Sequence, residues 1–496
     1  MNSLKERFYK PVLVVVLIAS LVAVSFTQKK LNVARASLGL TRGDPLENAP
    51  PILAFTTVAL GGFRGLIANI LWIRASDLQE DGKYFEMVTL AGWITKLQPR
   101  IPTVWYHQAW NMAYNISIKF QDPRDRWQWV RRGIELLRDE GLRYNPQETL
   151  LYRELAWFFQ HKMGHNLDDG HLYFKQVWAD SMYQVLGSGK VNFDDLINPK
   201  TDEQRKRAQA LREVYKLDPR KMKEFDERFG PLEWRLPEAH SVYWAALGLE
   251  NSKPEELMTL RRSIYQSMQL SFQRGRLIEN RFDRTFEFGP NLEIIPKVSA
   301  SYEQMQKDEP TQADHIGTGH KNFLKDAVYF LYTHNRQKEA MAWMKYLKEK
   351  YPTALPPNTD LDSYAVERVT EVASETSVDR TKAVLQGLIS QSFYYLGLGD
   401  DDQSLGYDRL AQKVWARFQV KIATSTNRIS LPAMPVLKQD VLQRMLDPER
   451  GVNPLLAAQL RTALNLPAPA TNAPATTAPT AISTNAPAVA PAGKAK

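Results

Sequence analysis

At 496 residues, 44% hydrophobic and 24% charged, the chain is long and apolar enough for one large or two to three ordinary folded domains, which excludes wholesale disorder. The absence of cysteine removes disulfide frameworks, thiolate metal sites and cysteine nucleophiles together. A formal charge of +9 comes from 64 basic and 55 acidic residues that are interspersed, without the block of like charge that marks a nucleic-acid arm, so no nucleic-acid partner is expected.

Residues 1–10 form a short basic tail carrying Lys5, Arg7 and Lys10, and residues 11–27 (PVLVVVLIASLVAVSFT) form an almost wholly apolar run. Seventeen helical residues span roughly 26 Å, slightly under the roughly 30 Å hydrocarbon core, with flanking lysines able to snorkel. The run reads as a transmembrane signal anchor, with the lipid bilayer as a partner. A cleaved signal peptide, with Ala23-Val24-Ser25 as its site, is the competing reading. Either way the body is expected outside the cytoplasm, as a single-pass protein of a bacterial inner membrane, because a first span behind a short basic tail leaves that tail inside. After a linker at 28–50, the stretch from Pro51 to Ile73 carries one charge, Arg64. Its Gly61-Gly62 break and a mid-bilayer arginine argue against a second span and for a buried or membrane-surface first helix.

From Pro51 to Leu466 helical periodicity dominates, so the body is expected to be all-α. One exception is Thr285 to Phe288, Gly289-Pro290-Asn291, then Leu292 to Ile295, which reads as a small β-hairpin. Leu71, Ala75, Leu78, Met87, Ala91, Ile94 and Pro99 are separated by 4, 3, 9, 4, 3 and 5 residues, and so are Leu324, Val328, Leu331, Ala340, Met344, Leu347 and Pro352. The spacing puts three apolar positions on one helix face and three on the next, so that two antiparallel helices bury each other. In these intervals the chain resembles tetratricopeptide-repeat proteins. The resemblance implies a helical-hairpin solenoid whose concave face, lined by the first helix of each pair, takes a peptide segment of a protein partner. Repeats are expected over 51–190 and 233–466, separated by a charged helical insertion at 191–232. Residues 467–496, rich in Ala, Pro and Thr with no acidic residue, are expected to be a disordered tail.

Two constellations stand out for chemistry. His161, His165 and His171, with Asp168 and Asp169 between them, crowd one interhelical turn and could ligate zinc; the structural account has an aspartate as helix N-cap and histidine against the helix dipole. Trp105, Asn111, Asn115 and Arg153 lie on successive first helices and are the candidate partner contacts. Eight of the 12 tryptophans fall between Trp72 and Trp178, which offers a groove for a peptide or a glycan. No G-x-S-x-G, H-E-x-x-H or dinucleotide fingerprint occurs. The expected function is a non-catalytic, membrane-anchored scaffold or adaptor in envelope, secretion or pilus-type assembly, with no cofactor. A metal-dependent envelope enzyme built on the histidines and a glycan-binding module are the alternatives.

Overall fold

The computed structural model describes residues 2–37, 64–165, 167–252, 257–279, 286–370, 378–423, 431–448 and 451–467. The expected tail, most of the linker and the apolar stretch before Arg64 lie outside them. Helix α1 (Asn2–Ser37) contains Val15–Ala34, a 20-residue stretch that is long and apolar enough to cross a membrane and is wholly unburied. It continues past Thr27, where the apolar run ends, because nothing in Gln28-Lys29-Lys30 breaks a helix.

The remaining described chain is mostly helical and divides into two compact units, residues 1–330 with 342–355 and residues 331–341 with 356–496. In the first unit α2 (Arg64–Glu80) and α3 (Tyr84–Leu97) fold back on each other around Gly82, whose φ of 70° suits the turn. Ala75, Leu78, Met87 and Ile94 meet in one cluster with Leu71 and Leu90, so the 4-3-9-4-3 spacing does bury one helix against the next here.

The following three helices share an unusual feature. Helix α4 (Pro102–Trp110) widens into a π-helical segment at Asn111–Ile116, α5 (Pro123–Glu135) at Leu136–Gly141 and α6 (Thr149–Trp157) at Phe158–Gly164. Helix α5 starts on Asp122, which accepts the Arg124 N–H at 2.8 Å, with Pro123 at the first helical position. It lies so close to α4 that a Cβ on Gly133 would stand 2.8 Å from the Ala109 carbonyl oxygen. Three π segments in successive helices are far above the ordinary frequency, and such segments recur at functional sites.

Helix α7 (His171–Leu186) follows, then α8 (Phe193–Ile197), α9 (Asp202–Glu213) and α10 (Pro219–Phe229) in the charged region. Helices α8 to α10 keep most of their charges outward and bury Leu211, Met222, Phe225 and Phe229, while Asp226 turns inward and accepts the Trp234 Nε1–H at 2.9 Å. Helices α11 (Pro237–Asn251) and α12 (Leu257–Arg274) form a further hairpin against α6, joined where Ser241 Oγ donates to the Ala156 carbonyl at 2.8 Å.

The β-hairpin exists, but with different partners from those expected. Strand β1 (Arg276–Glu279) pairs antiparallel with β2 (Phe286–Gly289), Arg276 opposite Gly289. Leu292 to Ile295 do not form the second strand. Pro296 stands at the first turn of α13 (Ile295–Asp308), which draws Ile294 and Ile295 into a buried helix start. Asn291, expected in the turn, instead donates its backbone N–H to the Phe272 carbonyl and its side chain to the Pro231 carbonyl.

Helices α14 (Ala313–Thr333) and α15 (Gln337–Lys350) carry the second copy of the repeat spacing, and Leu324, Val328, Leu331, Ala340 and Leu347 are all fully buried. Asn335 turns the chain between them with a positive φ of 61°. The second unit adds α16 (Leu361–Thr370), α17 (Val378–Leu398), α18 (Asp401–Ala423), α19 (Met434–Met445) and α20 (Pro454–Ala463). Its core is the α17–α18 hairpin, covered by α19 and α20 and centred on Leu385, Ile389, Leu410 and Val414.

Candidate functional site

Two of the four expected contact residues are core. Trp105 is 1% exposed, stacks on Tyr144 with ring centroids 5.6 Å apart and donates its Nε1–H to the Pro99 carbonyl at 2.8 Å. Asn111 is equally buried, and its Oδ1 accepts from Asn115 Nδ2 at 3.1 Å within the same helix; its own Nδ2 has no acceptor. Both are corrected from contact residue to interior residue, because each faces the neighbouring helices rather than solvent. Asn115 and Arg153 are partly exposed, with Arg153 Nε donating to Glu154 at 3.0 Å.

The face that α4 presents outward lies one residue further on. Tyr106, Trp110 and Tyr114 stand at four-residue intervals along α4 and its π segment, all partly exposed. Arg153, Trp157, His161 and His165 repeat that interval along α6, which packs beside α4. The two rows meet. Trp110 stacks on Tyr114 at 5.3 Å, Trp157 stacks on His161 at 4.5 Å, and the Tyr114 hydroxyl and His161 Nδ1 are hydrogen-bonded at 3.2 Å. Trp72 of α2 extends the band by an edge contact with His107. Trp157 is 37% exposed. Burial lowers the pKa of His161 and of His165 below the ordinary 6.5, so both imidazoles are mostly neutral at pH 7 and present ring faces rather than charge.

Beneath the band lies a layer of buried charge. Lys162 sits 4.9 Å under the Tyr114 ring and donates to Asp168 Oδ2 at 2.6 Å. Arg126 holds Asp168 Oδ1 at 2.8 Å and also pairs with Asp169, while the Gly170 N–H caps Asp168 at 2.9 Å. His171 opens α7 and accepts from Lys175 Nζ at 3.1 Å. The four residues expected as metal ligands therefore have other occupations. Asp168 neutralises two buried cations, His171 faces an ammonium group, and His161 and His165 belong to the aromatic band. Among the described residues no three His, Cys, Asp or Glu side chains converge as ligands.

Glu238 stands in the first turn of α11. It is fully enclosed, close to Gly164 at the end of the α6 π segment, and neither carboxylate oxygen reaches a partner with hydrogen-bonding geometry. Burial raises its pKa above 4.5, opposed by the charge of Lys175. Burial brings Lys175 down to about 8, opposed by Glu238. Because the folded state binds the Glu238 proton more tightly than the unfolded chain, this group's contribution is fully present below about pH 4.5 and is lost as pH rises through the raised value. Glu238→Gln imitates the protonated form permanently. At pH 9, where Lys175 has shed its proton, the variant is expected to be more stable by about 1–3 kcal/mol in urea unfolding, and at pH 4 no different. Equal midpoints at pH 9 would show that solvent already reaches the carboxylate.

His240, on the same helix, is a structural residue. Its Nε2 donates to the Trp234 carbonyl at 2.8 Å between Phe159 and Trp178, and burial lowers its pKa to about 4. No family model, no curated protein and no solved structure matches the chain, so its function is read from these residues themselves.

Proposed function

We propose that the chain is a membrane-tethered helical-hairpin adaptor, resembling tetratricopeptide-repeat proteins, that holds a segment of a protein partner outside the cytoplasm of a bacterial cell in envelope, secretion or pilus-type assembly. The observation that carries this reading is the uncharged aromatic band of Tyr106, Trp110, Tyr114, Trp157 and His161 across two adjacent helices, set over a sealed core. Rigid, partly exposed aromatic rings give a large contact area at low entropic cost and dominate protein contacts of this kind. An anchor in α1 restricts the search to the membrane plane and raises effective concentration.

The test is a photo-crosslinking side chain placed at Trp157 in the full chain in native membranes, with one at the exposed Arg124 as control. A defined protein adduct at Trp157 and none at Arg124 is expected. Identical patterns at the two positions would sink the adaptor reading. Quenching of tryptophan fluorescence by cell-wall fragments, without a protein adduct, would replace it with a glycan-binding module.

A further inference from the structure

We infer that α2 seats on the lipid surface, with Leu66, Ile70 and Ile73 immersed at the boundary between headgroups and acyl chains. This rests on the reading of α1 as a bilayer span and adds a second, interfacial attachment.

At 100° per residue, Ala68, Leu71, Ala75 and Leu78 occupy the side of α2 that packs on α3 and α4, and Leu66, Ile70 and Ile73 occupy the opposite side. The outward residues are 55%, 58% and 65% exposed. A surface helix ordinarily places charged and polar residues there, and a helix that is apolar on both sides requires cover on both. Three observations select lipid as that cover. Val15–Ala34 is itself of bilayer-crossing length and apolarity. Only residues 38–63 separate α1 from α2 in the chain, and from Pro51 onward the sequence into the helix carries no charge except Arg64. The margins of the stripe are polar, with Asn69 on one flank, Arg74 on the other and Asp77 at its end, all exposed, as in helices lying in the plane of a membrane interface. Arg74 can carry its charge out to the headgroups while its stem lies along the apolar surface.

The chain has no native cysteine, so single-cysteine variants of the full-length protein report one site each. The experiment reconstitutes Leu66→Cys, Ile70→Cys, Ile73→Cys and the control Gln79→Cys, each with a polarity-sensitive fluorophore, into phosphatidylethanolamine–phosphatidylglycerol vesicles. Ile18→Cys and Val22→Cys report on α1 in parallel. Labels at 66, 70 and 73 are expected to shift to the blue, to lose several-fold in collisional quenching by aqueous iodide, and to be quenched by lipids spin-labelled near the headgroup; the label at 79 stays iodide-accessible. Labels at 66, 70 and 73 that are as open to iodide as position 79, while 18 and 22 are quenched from within the bilayer, would overturn the seat and leave the anchor standing. Protection from iodide without lipid quenching would also overturn it, by assigning the stripe to a protein cover, whether residues 51–63 or another chain. Lipid quenching at 66, 70 and 73 with none at 18 and 22 would keep the seat and remove the span.

Discussion

Replacing Asp168 by alanine is expected to cost about 3–5 kcal/mol of folding stability, measured as a shift of the urea midpoint at unchanged slope. Asp168 is the buried carboxylate that pairs with both Lys162 and Arg126, and the three side chains are nearly inaccessible. Its removal leaves an ammonium group enclosed under the Tyr114 ring without the carboxylate it is bonded to, and leaves both cations with only the exposed Asp169 nearby. Burial already holds the Lys162 pKa below 10.5 despite the bond it donates to Asp168, so the folded chain has little further means of supporting that charge. Asp168→Asn keeps an acceptor for the Gly170 N–H and loses only the charge, which separates the cap from the ion pair. Combining it with Lys162→Met removes the Lys162–Asp168 pair and should recover the part of the loss that belongs to Lys162, leaving Arg126 with Asp169, because a buried pair contributes little against an apolar replacement while a lone buried charge costs much. A loss below about 1 kcal/mol for the alanine variant would mean that water solvates the two cations. Zinc has no part in this expectation, since the carboxylate that a metal would need is already spent on two cations.

How much of this was legible beforehand depended on whether the signal was local. The α2–α3 hairpin follows from side-chain spacing and a turn glycine, both contained within Leu71 to Pro99, and it is found there. The start of α7 near Asp168 was legible for the same reason, and so was an apolar N-terminal helix. The β-hairpin was only half legible: Phe286 to Gly289 is a strand, but its partner lies upstream, across residues outside the described chain, while the nearer apolar run is captured by Pro296. The outward row on α4 lies one residue past Trp105, and the π segment keeps that row in line beyond Trp110. In a regular helix of 3.6 residues per turn a four-residue row drifts steadily around the axis, whereas a π turn is wider and drifts it back. Tyr106, Trp110 and Tyr114 therefore stay in line across the α-to-π junction, and Trp105 with Asn111 turn inward. Nothing in residue spacing announces a π turn. The Glu238–Lys175 enclosure was equally illegible, because it joins α11 to α7 across more than sixty residues of chain.

The neighbours Trp105 and Tyr106 give the sharpest division between the core and the proposed contact face. Trp105→Ala should destabilise the first unit by about 3–5 kcal/mol, since it empties a sealed position, abandons the Nε1–H bond to Pro99 and uncovers the Tyr144 ring. Tyr106→Ala removes a ring that already touches solvent and should stay within about 1 kcal/mol of the parent chain. Capture by the crosslinker at Trp157 should respond the other way, falling with Tyr106→Ala in a protein whose urea midpoint is unchanged. Trp105→Ala should lose capture only in proportion to the fraction unfolded. If Trp105→Ala instead kept its midpoint and abolished capture, the first helix of this pair would present Trp105 to the partner and the aromatic band would have to be redrawn one residue back. Because the two side chains point roughly 100° apart on one helix, no common rearrangement gives both outcomes.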